Sequence, residues 1–120
     1  MSRDHRKLKV FHLADELVLD VYRATAGFPR EERYGLQAQL RRAAVRIAST
    51  IVEGSARRTT KDYLHFVTIS LGSASEVRYL LTVAGRLTFM PATTSQQLHD
   101  RYDELVRGLQ GLLTSLESET

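Results

Sequence analysis

Hydrophobic residues recur every three or four positions along most of the chain, which is the spacing of one face of an α-helix. Four separate stripes follow this pattern, and no segment alternates with the period of two that is typical of a strand. The pattern therefore predicts an all-α protein. The expected helices lie at about 8–26, 36–53, 61–88 and 95–117.

Residues between the stripes carry the signals that begin and end helices. Gly27 and Pro29 follow the first stripe as a terminating glycine and a helix breaker. Thr59 or Thr60 is the expected N-cap of the third helix. The segment 94–97, Thr-Ser-Gln-Gln, predicts a capping box at the start of the fourth helix.

The connections between the predicted helices are short, at 27–35, 54–60 and 89–94. Short connections place successive helices side by side in opposite directions. The chain shows no internal repeat and no sign of a second domain. We therefore expect a single domain, 1–120, folded as an antiparallel up-down-up-down four-helix bundle.

The second helix has more hydrophobic surface than packing inside one bundle requires. One stripe, which includes Leu40 and Ile47, is expected to face the core of its own subunit. A second arc of the helix also contains apolar side chains, namely Ala38, Val45, Ala48 and Val52. Such a face usually marks a partner contact, and we expect homo-oligomerisation. The alternative is that this helix is the most enclosed of the four. Arg41 lies in the second arc, where an interface ion pair is expected.

Positive charge is concentrated in the middle of the chain. The net charge is +3, but residues 30–61 carry eight bases and three acids, and residues 62–120 carry four bases and seven acids. This asymmetry indicates either nucleic-acid contact or ion pairing between elements of the protein. The candidate phosphate-binding residues are Arg42, Arg46, Arg57, Arg58 and Lys61, together with Arg3, Arg6, Lys7 and Lys9 near the start. Tyr34 and Tyr63 are the only nearby aromatic residues that could stack on a base.

Three stretches of the chain resemble a known family. They are 28–45, with Gln-Leu-Arg-Arg-Ala-Ala at 39–44; 51–57, with Glu53-Gly54; and 72–76, with Gly-Ser-Ala-x-Glu. Together they resemble the 23S ribosomal RNA intervening-sequence proteins, which are four-helix bundles encoded within or near insertions in bacterial ribosomal RNA genes. The resemblance extends from about Phe11 to Leu113.

The resemblance implies a homopentameric ring with a central pore. A relative, the accessory variability protein of diversity-generating retroelements, binds nucleic acid and a reverse transcriptase through such a basic pentamer, whereas the family at large has no established activity. The partners implied are other copies of this chain, RNA or other nucleic acid, and a reverse-transcriptase-like or ribosome-associated protein.

The chain departs from the family pattern at several positions. Ala48 and Thr50 stand where the family has a proline and an asparagine, and the usual tryptophan of the first helix is absent. Arg78 replaces a second glutamate. This leaves Glu76 as the acidic residue of that segment that could pair with Arg41 of a neighbouring subunit.

The sequence does not predict catalytic or metal-binding chemistry. The absence of cysteine excludes disulfides and thiolate zinc sites. Asp62 and His65 approximate the Glu-x-x-His motif of di-iron bundles, but the motif occurs once and a site needs two. Glycine-rich phosphate loops and nucleophile turns are also missing. We therefore expect no enzyme activity, no cofactor and no bound metal.

Glu53 and Gly54 allow two interpretations. Glu53 could hold a neighbouring subunit or a metal. Alternatively, Gly54 makes the turn that ends the second helix, and Glu53 pairs with Arg57 or Lys61 across the loop. We favour the second interpretation.

Neither a membrane span nor a signal peptide is expected. No apolar run reaches the roughly 20 residues that a span requires, and no apolar segment follows the charged start at 1–7. These features predict a cytoplasmic protein. Two functions remain open: a non-catalytic oligomer that binds structured RNA or other nucleic acid, or a structural adaptor that docks another protein and never contacts nucleic acid.

Overall fold

Four α-helices account for most of the chain, whose computed structural model describes residues 3–120. Residues 1 and 2 of the predicted domain lie outside the described part. The helices are α1 (Lys9–Thr25), α2 (Leu36–Ser55), α3 (Thr60–Arg86) and α4 (Ala92–Glu117), with short 3-10 turns at His5–Lys7 and Arg30–Glu32. The described residues contain no strand, which confirms the prediction of an all-α fold.

The helices bury their hydrophobic stripes against one another around a common core. Contacts join α1 to α2, α2 to α3, α3 to α4, and α4 back to α1. Each helix contributes side chains that are at most 1% exposed, such as Leu17, Ile47, Leu81 and Leu105. The core stripe predicted for α2 is buried throughout. Among residues 3–120, no helix is both long and apolar enough to cross a bilayer.

The close contact between α2 and α3 depends on Gly54. This glycine lies within α2 and has a negative φ, so the prediction that it forms a terminating turn is wrong. A Cβ atom at this position would come within 2.8 Å of Phe66 Cβ and 3.1 Å of Tyr63 Cδ1. The missing side chain therefore lets the two helices approach closely. Gly72, inside α3, is exposed, and a Cβ atom there would have no such neighbour within 4 Å.

The turn between α3 and α4 differs from the prediction. The α3 helix ends at Arg86, and Thr88 adopts a left-handed φ of 60° while the Phe89 N–H donates to the Ala84 carbonyl at 2.9 Å. The α4 helix begins at Ala92, directly after Pro91, and not at 95. The predicted capping box at 94–97 is wrong, because these residues already lie inside the helix and no side chain caps its N-terminus at Pro91. Within this segment the buried Ser95 hydroxyl donates to the Leu81 carbonyl of α3 at 2.8 Å.

Polar side chains fix the junctions that surround α2. The Glu32 carboxylate accepts the Leu36 N–H at 3.0 Å and so caps the start of the helix. Gln37 Nε2 donates to the Thr25 carbonyl at the end of α1 at 2.7 Å. At the start of α3, Thr59 Oγ1 accepts the Asp62 N–H at 3.1 Å, so Thr59 is the N-cap. These contacts fix the two connections that flank α2.

Candidate functional site

An open groove of about 860 Å³ lies between α2 and α3. The α2 wall includes Arg42 and Arg46, which are one helical turn apart and both exposed. The α3 wall includes Phe66 and Ile69, which supply apolar surface. The carboxylates of Glu53 and Glu76 also line the groove. The groove thus combines cations, acids and apolar side chains.

Arg57 joins the groove to the basic segment that follows α2. Its guanidinium carbon lies 4.4 Å from the centre of the Phe66 ring, within the range of a cation–π contact. The backbone of Arg57 is also held, because its carbonyl accepts a hydrogen bond from Arg3 Nη1 at 2.9 Å. Arg58 and Lys61 are exposed nearby in sequence. Phe66 is not among the residues predicted for the site, because its helical spacing is that of the core stripe of α3.

Arg3 brings the start of the chain to this end of the bundle. It donates to the Thr60 hydroxyl, and its guanidinium carbon lies 5.8 Å from the Tyr63 ring centre. Burial raises the pKa of Tyr63, and the nearby Arg3 charge partly opposes that rise. The Tyr63 ring is fully buried, so it offers no face for base stacking. Tyr34 is 87% exposed and lies in the connection between α1 and α2.

Arg6, near the start, pairs with Asp4 at 2.8 Å, but the candidate phosphate-binding residues of the 30–61 segment have no acidic partner within the described part of the chain. Other arginines do: Arg78 contacts Asp103 at 2.9 Å, and Arg101 lies 3.4 Å from Glu16. The free set is Arg42, Arg46, Arg57, Arg58 and Lys61. Within residues 3–120, Glu53 forms no ion pair with Arg57 or Lys61, so that prediction is wrong. Within the described residues, the ion-pairing alternative is therefore not realised for these five bases.

Arg41 contacts the end of α1. Its Nε donates to Thr25 Oγ1 at 2.9 Å and its Nη2 to the Tyr22 carbonyl at 3.1 Å, while the guanidinium carbon lies 4.5 Å from the Tyr22 ring centre. Glu76 accepts a hydrogen bond from Gln39 Nε2 at 3.3 Å. The ion pair between Arg41 and Glu76 of a neighbouring subunit stays a prediction.

We expect Arg41→Ala to lower the free energy of unfolding by about 1–2 kcal/mol, because it removes two hydrogen bonds and a cation–π contact. Urea denaturation at a fixed protein concentration measures this. Arg42→Ala is the matched control, since Arg42 is exposed and has no partner within residues 3–120; we expect a change within about 0.5 kcal/mol. Equal effects of the two substitutions would contradict a structural role for Arg41.

The second apolar arc of α2 is only partly covered by the rest of the chain. Val45 is 40% exposed, and Ala38, Ala48 and Val52 are half-buried. Tyr22 of α1, which lines the groove together with Val45, is 42% exposed. These side chains leave apolar surface beside the cationic groove.

A cluster on α4 is the group in the described part of the chain that could hold a metal. Its members are His99, Asp100 and Asp103, whose candidate ligand atoms lie within 4.8 Å of one another. However, the Arg78 guanidinium hydrogen-bonds Asp103 and holds the pKa of that carboxyl below its usual range. Gln96 donates to Asp100 at 2.8 Å. A positive charge in contact with one ligand disfavours a metal cation here.

Comparison with known proteins places the chain in a family. The family model described as 23S rRNA-intervening sequence protein matches residues 6–111. The chain belongs to that family. The resemblance inferred from the motifs at 28–45, 51–57 and 72–76 is therefore confirmed.

A solved structure also shares the fold of this family member. It is the crystal structure of a protein of unknown function from the S23 ribosomal protein family of Bacteroides thetaiotaomicron. The alignment covers 95% of this chain and 99% of the other, with a TM-score of 0.82 and 16% sequence identity. At this identity the comparison supports the four-helix fold alone. None of the curated proteins compared with the chain matches it.

Proposed function

We propose that this family member is a non-enzymatic homo-oligomer that binds nucleic acid, such as structured RNA, through the basic surface formed by Arg42, Arg46, Arg57, Arg58 and Lys61. The observation that carries the proposal is the lack of acidic partners for these residues within the described chain. Phosphate contact needs exposed cations and tolerates varied geometry, so such a set is sufficient.

Assembly would strengthen this binding. We infer an antiparallel up-down-up-down course of the helices and a pentameric ring, in which the partly exposed arc with Ala38, Val45, Ala48 and Val52 lies against a neighbouring copy. Apolar side chains that are exposed in one subunit favour burial between subunits. A ring would present the basic surface several times, so that weak contacts add through avidity.

The absence of catalysis is part of the same proposal. Among the described residues that line the groove there is no histidine, and its Ser49 and Thr50 hydroxyls donate to helix carbonyls. A hydroxyl that donates to a helix carbonyl, and not to a carboxylate or a histidine, is not activated as a nucleophile.

A structural adaptor that docks another protein is the second candidate. It is favoured by exposed aromatic surface away from the groove, since Tyr79 is 67% exposed and Tyr34 is 87% exposed. Exposed tyrosines are common anchors of protein interfaces. Such an adaptor would need none of the candidate basic residues.

Titration of a labelled RNA hairpin with single-stranded flanks separates the two functions. We expect the wild type to bind at about 50 mM salt and to weaken steeply by about 200 mM, because binding releases counterions. Changing Arg42, Arg46, Arg57 and Arg58 together to glutamate should weaken binding by at least about 100-fold. Fluorescence anisotropy measures both effects.

The control changes Arg23, Arg30, Arg86 and Arg107, which are all exposed, to glutamate; this alters net charge equally outside the basic surface. Circular dichroism checks that each variant remains helical. If wild type does not bind at low salt, or if both variants weaken binding equally, the proposed nucleic-acid surface is wrong and the adaptor becomes the better account.

A further inference from the structure

Arg57 differs from the other free bases because an aromatic ring supports its guanidinium. The guanidinium carbon lies 4.4 Å from the centre of the Phe66 ring, and Arg57 itself is exposed. No aromatic contact of this kind involves Arg58 or Lys61 in the described chain. One side of the guanidinium therefore rests on protein, and the other is open to a ligand.

The position of Arg57 is fixed by the backbone as well. Its N–H donates to the Gly54 carbonyl at 3.1 Å, and its carbonyl accepts from Arg3 Nη1 at 2.9 Å. Phe66 is held in turn by the close α2–α3 contact at Gly54. A side chain held at both its backbone and its head group loses little conformational freedom when it binds a ligand.

The groove next to this arginine offers more than charge. Phe66 lines the groove and also carries Arg57, while Ile69 adds apolar surface and Arg42 and Arg46 supply cations. Phosphate binding alone needs no apolar wall. A surface that combines cations with an aromatic-supported guanidinium is suited to a nucleotide whose base is unpaired, because such a base exposes its flat face.

We propose that Arg57, supported by Phe66, stacks on an unpaired base, and that Arg42 and Arg46 contact the adjoining phosphates. This inference rests on the proposed function and narrows it: the preferred ligand is a single-stranded segment of nucleic acid, such as the loop of a structured RNA, and not a duplex. In a duplex the bases are stacked on one another and cannot reach the guanidinium.

The acidic residues of the groove fit the same arrangement. Glu53 and Glu76 repel a continuous line of phosphates, but a carboxylate can accept hydrogen bonds from the edge of an unpaired base. Glu53→Gln should therefore strengthen binding of a strand without bases more than binding of one with bases.

The test uses three fluorescent probes of roughly 12 nucleotides, within the range that single-stranded binding sites cover. The probes are an unpaired RNA strand of mixed sequence, its blunt duplex, and an abasic strand that keeps the phosphates but lacks the bases. We expect the wild type to bind the unpaired strand about tenfold more tightly than the abasic strand. The duplex should also bind more weakly than the unpaired strand.

Arg57→Lys keeps the charge but removes the planar group. We expect it to weaken binding of the unpaired strand by about tenfold and to leave binding of the abasic strand unchanged. Arg86→Lys is the control, because Arg86 is exposed and lies outside the basic surface; we expect a change of less than about twofold for either probe. Thermal melting checks that both variants remain folded.

The inference is overturned if the unpaired and abasic strands bind equally, if the duplex binds most tightly, or if Arg57→Lys and Arg86→Lys behave alike. In each of these outcomes nucleic-acid binding itself can survive as a purely electrostatic interaction. Absence of binding by all three probes at low salt overturns the proposed function and this inference together.

Discussion

Gly54→Val is expected to lower the free energy of unfolding by about 3 kcal/mol, because it forces the α2 and α3 helices apart. Even the first added carbon would lie 2.8 Å from Phe66 Cβ and 3.1 Å from Tyr63 Cδ1. Neither neighbour is the free end of a flexible chain: one is the root of a side chain, and the other belongs to a fully buried ring. Urea denaturation followed by far-UV circular dichroism measures the change.

Two glycines provide the control for this prediction. Gly72 and Gly111 lie inside helices, and an added Cβ would meet nothing within 4 Å. At both positions alanine should raise the free energy of unfolding by about 0.5–1 kcal/mol, since glycine is a poor helix former. Gly54→Ala should instead be destabilising. If all three alanine variants are equally stabilised, the helices do not approach as closely at Gly54 as the structure indicates.

Gly54 also illustrates which part of the fold could be predicted from the sequence. Hydrophobic periodicity located all four helices, because it depends only on positions within one helix. Whether a glycine ends its helix or lets a second helix approach depends on which residues of the neighbouring helix lie against it. Gly54 and Gly72 are each followed by a serine in the sequence. In the structure, however, Gly54 faces Phe66, whereas Gly72 faces open space.

Polar residues near helix ends were harder to assign for the same reason. Thr94 and Gln97 have the spacing of a capping box, but α4 already begins at Ala92, and the hydroxyl of the intervening Ser95 donates to the Leu81 carbonyl of α3. Arg41 lies among apolar positions of α2, which suggested an interface, while the structure shows it bound to the end of α1. In both cases the partner belongs to another helix, and spacing along one helix does not identify it.

The candidate site was predictable in its charges but not in its aromatic support. The free bases can be found from composition, because cations outnumber acids between residues 30 and 61. The pairing of Arg57 with Phe66 crosses the connection between α2 and α3 and depends on how closely these helices pack. The same close contact at Gly54 therefore stabilises the bundle and positions the proposed base-stacking arginine.

The proposed ring predicts that Val45→Glu converts an assembled protein into single chains. Val45 is 40% exposed in one subunit, so glutamate can be accommodated there without entering the core. Inside an interface the same carboxylate would lose its hydration without gaining a partner, a cost of several kcal/mol at each contact. We expect the mass from light scattering to fall from about five times the 13.6 kDa of the chain to the mass of one chain.

Val45 is a cleaner position for this experiment than Val52, which is half-buried within its own subunit and whose replacement would also perturb the fold. Gln110→Glu is the control, because Gln110 is exposed on α4 and the substitution adds the same charge. We expect it to leave the mass unchanged. A wild type that is monomeric at micromolar concentration would contradict the ring, as would a Val45→Glu variant that remains assembled. If the wild type is monomeric, Arg42, Arg46 and Arg57 of a single chain would have to bind RNA without avidity. The RNA titration would then measure the affinity of that single site.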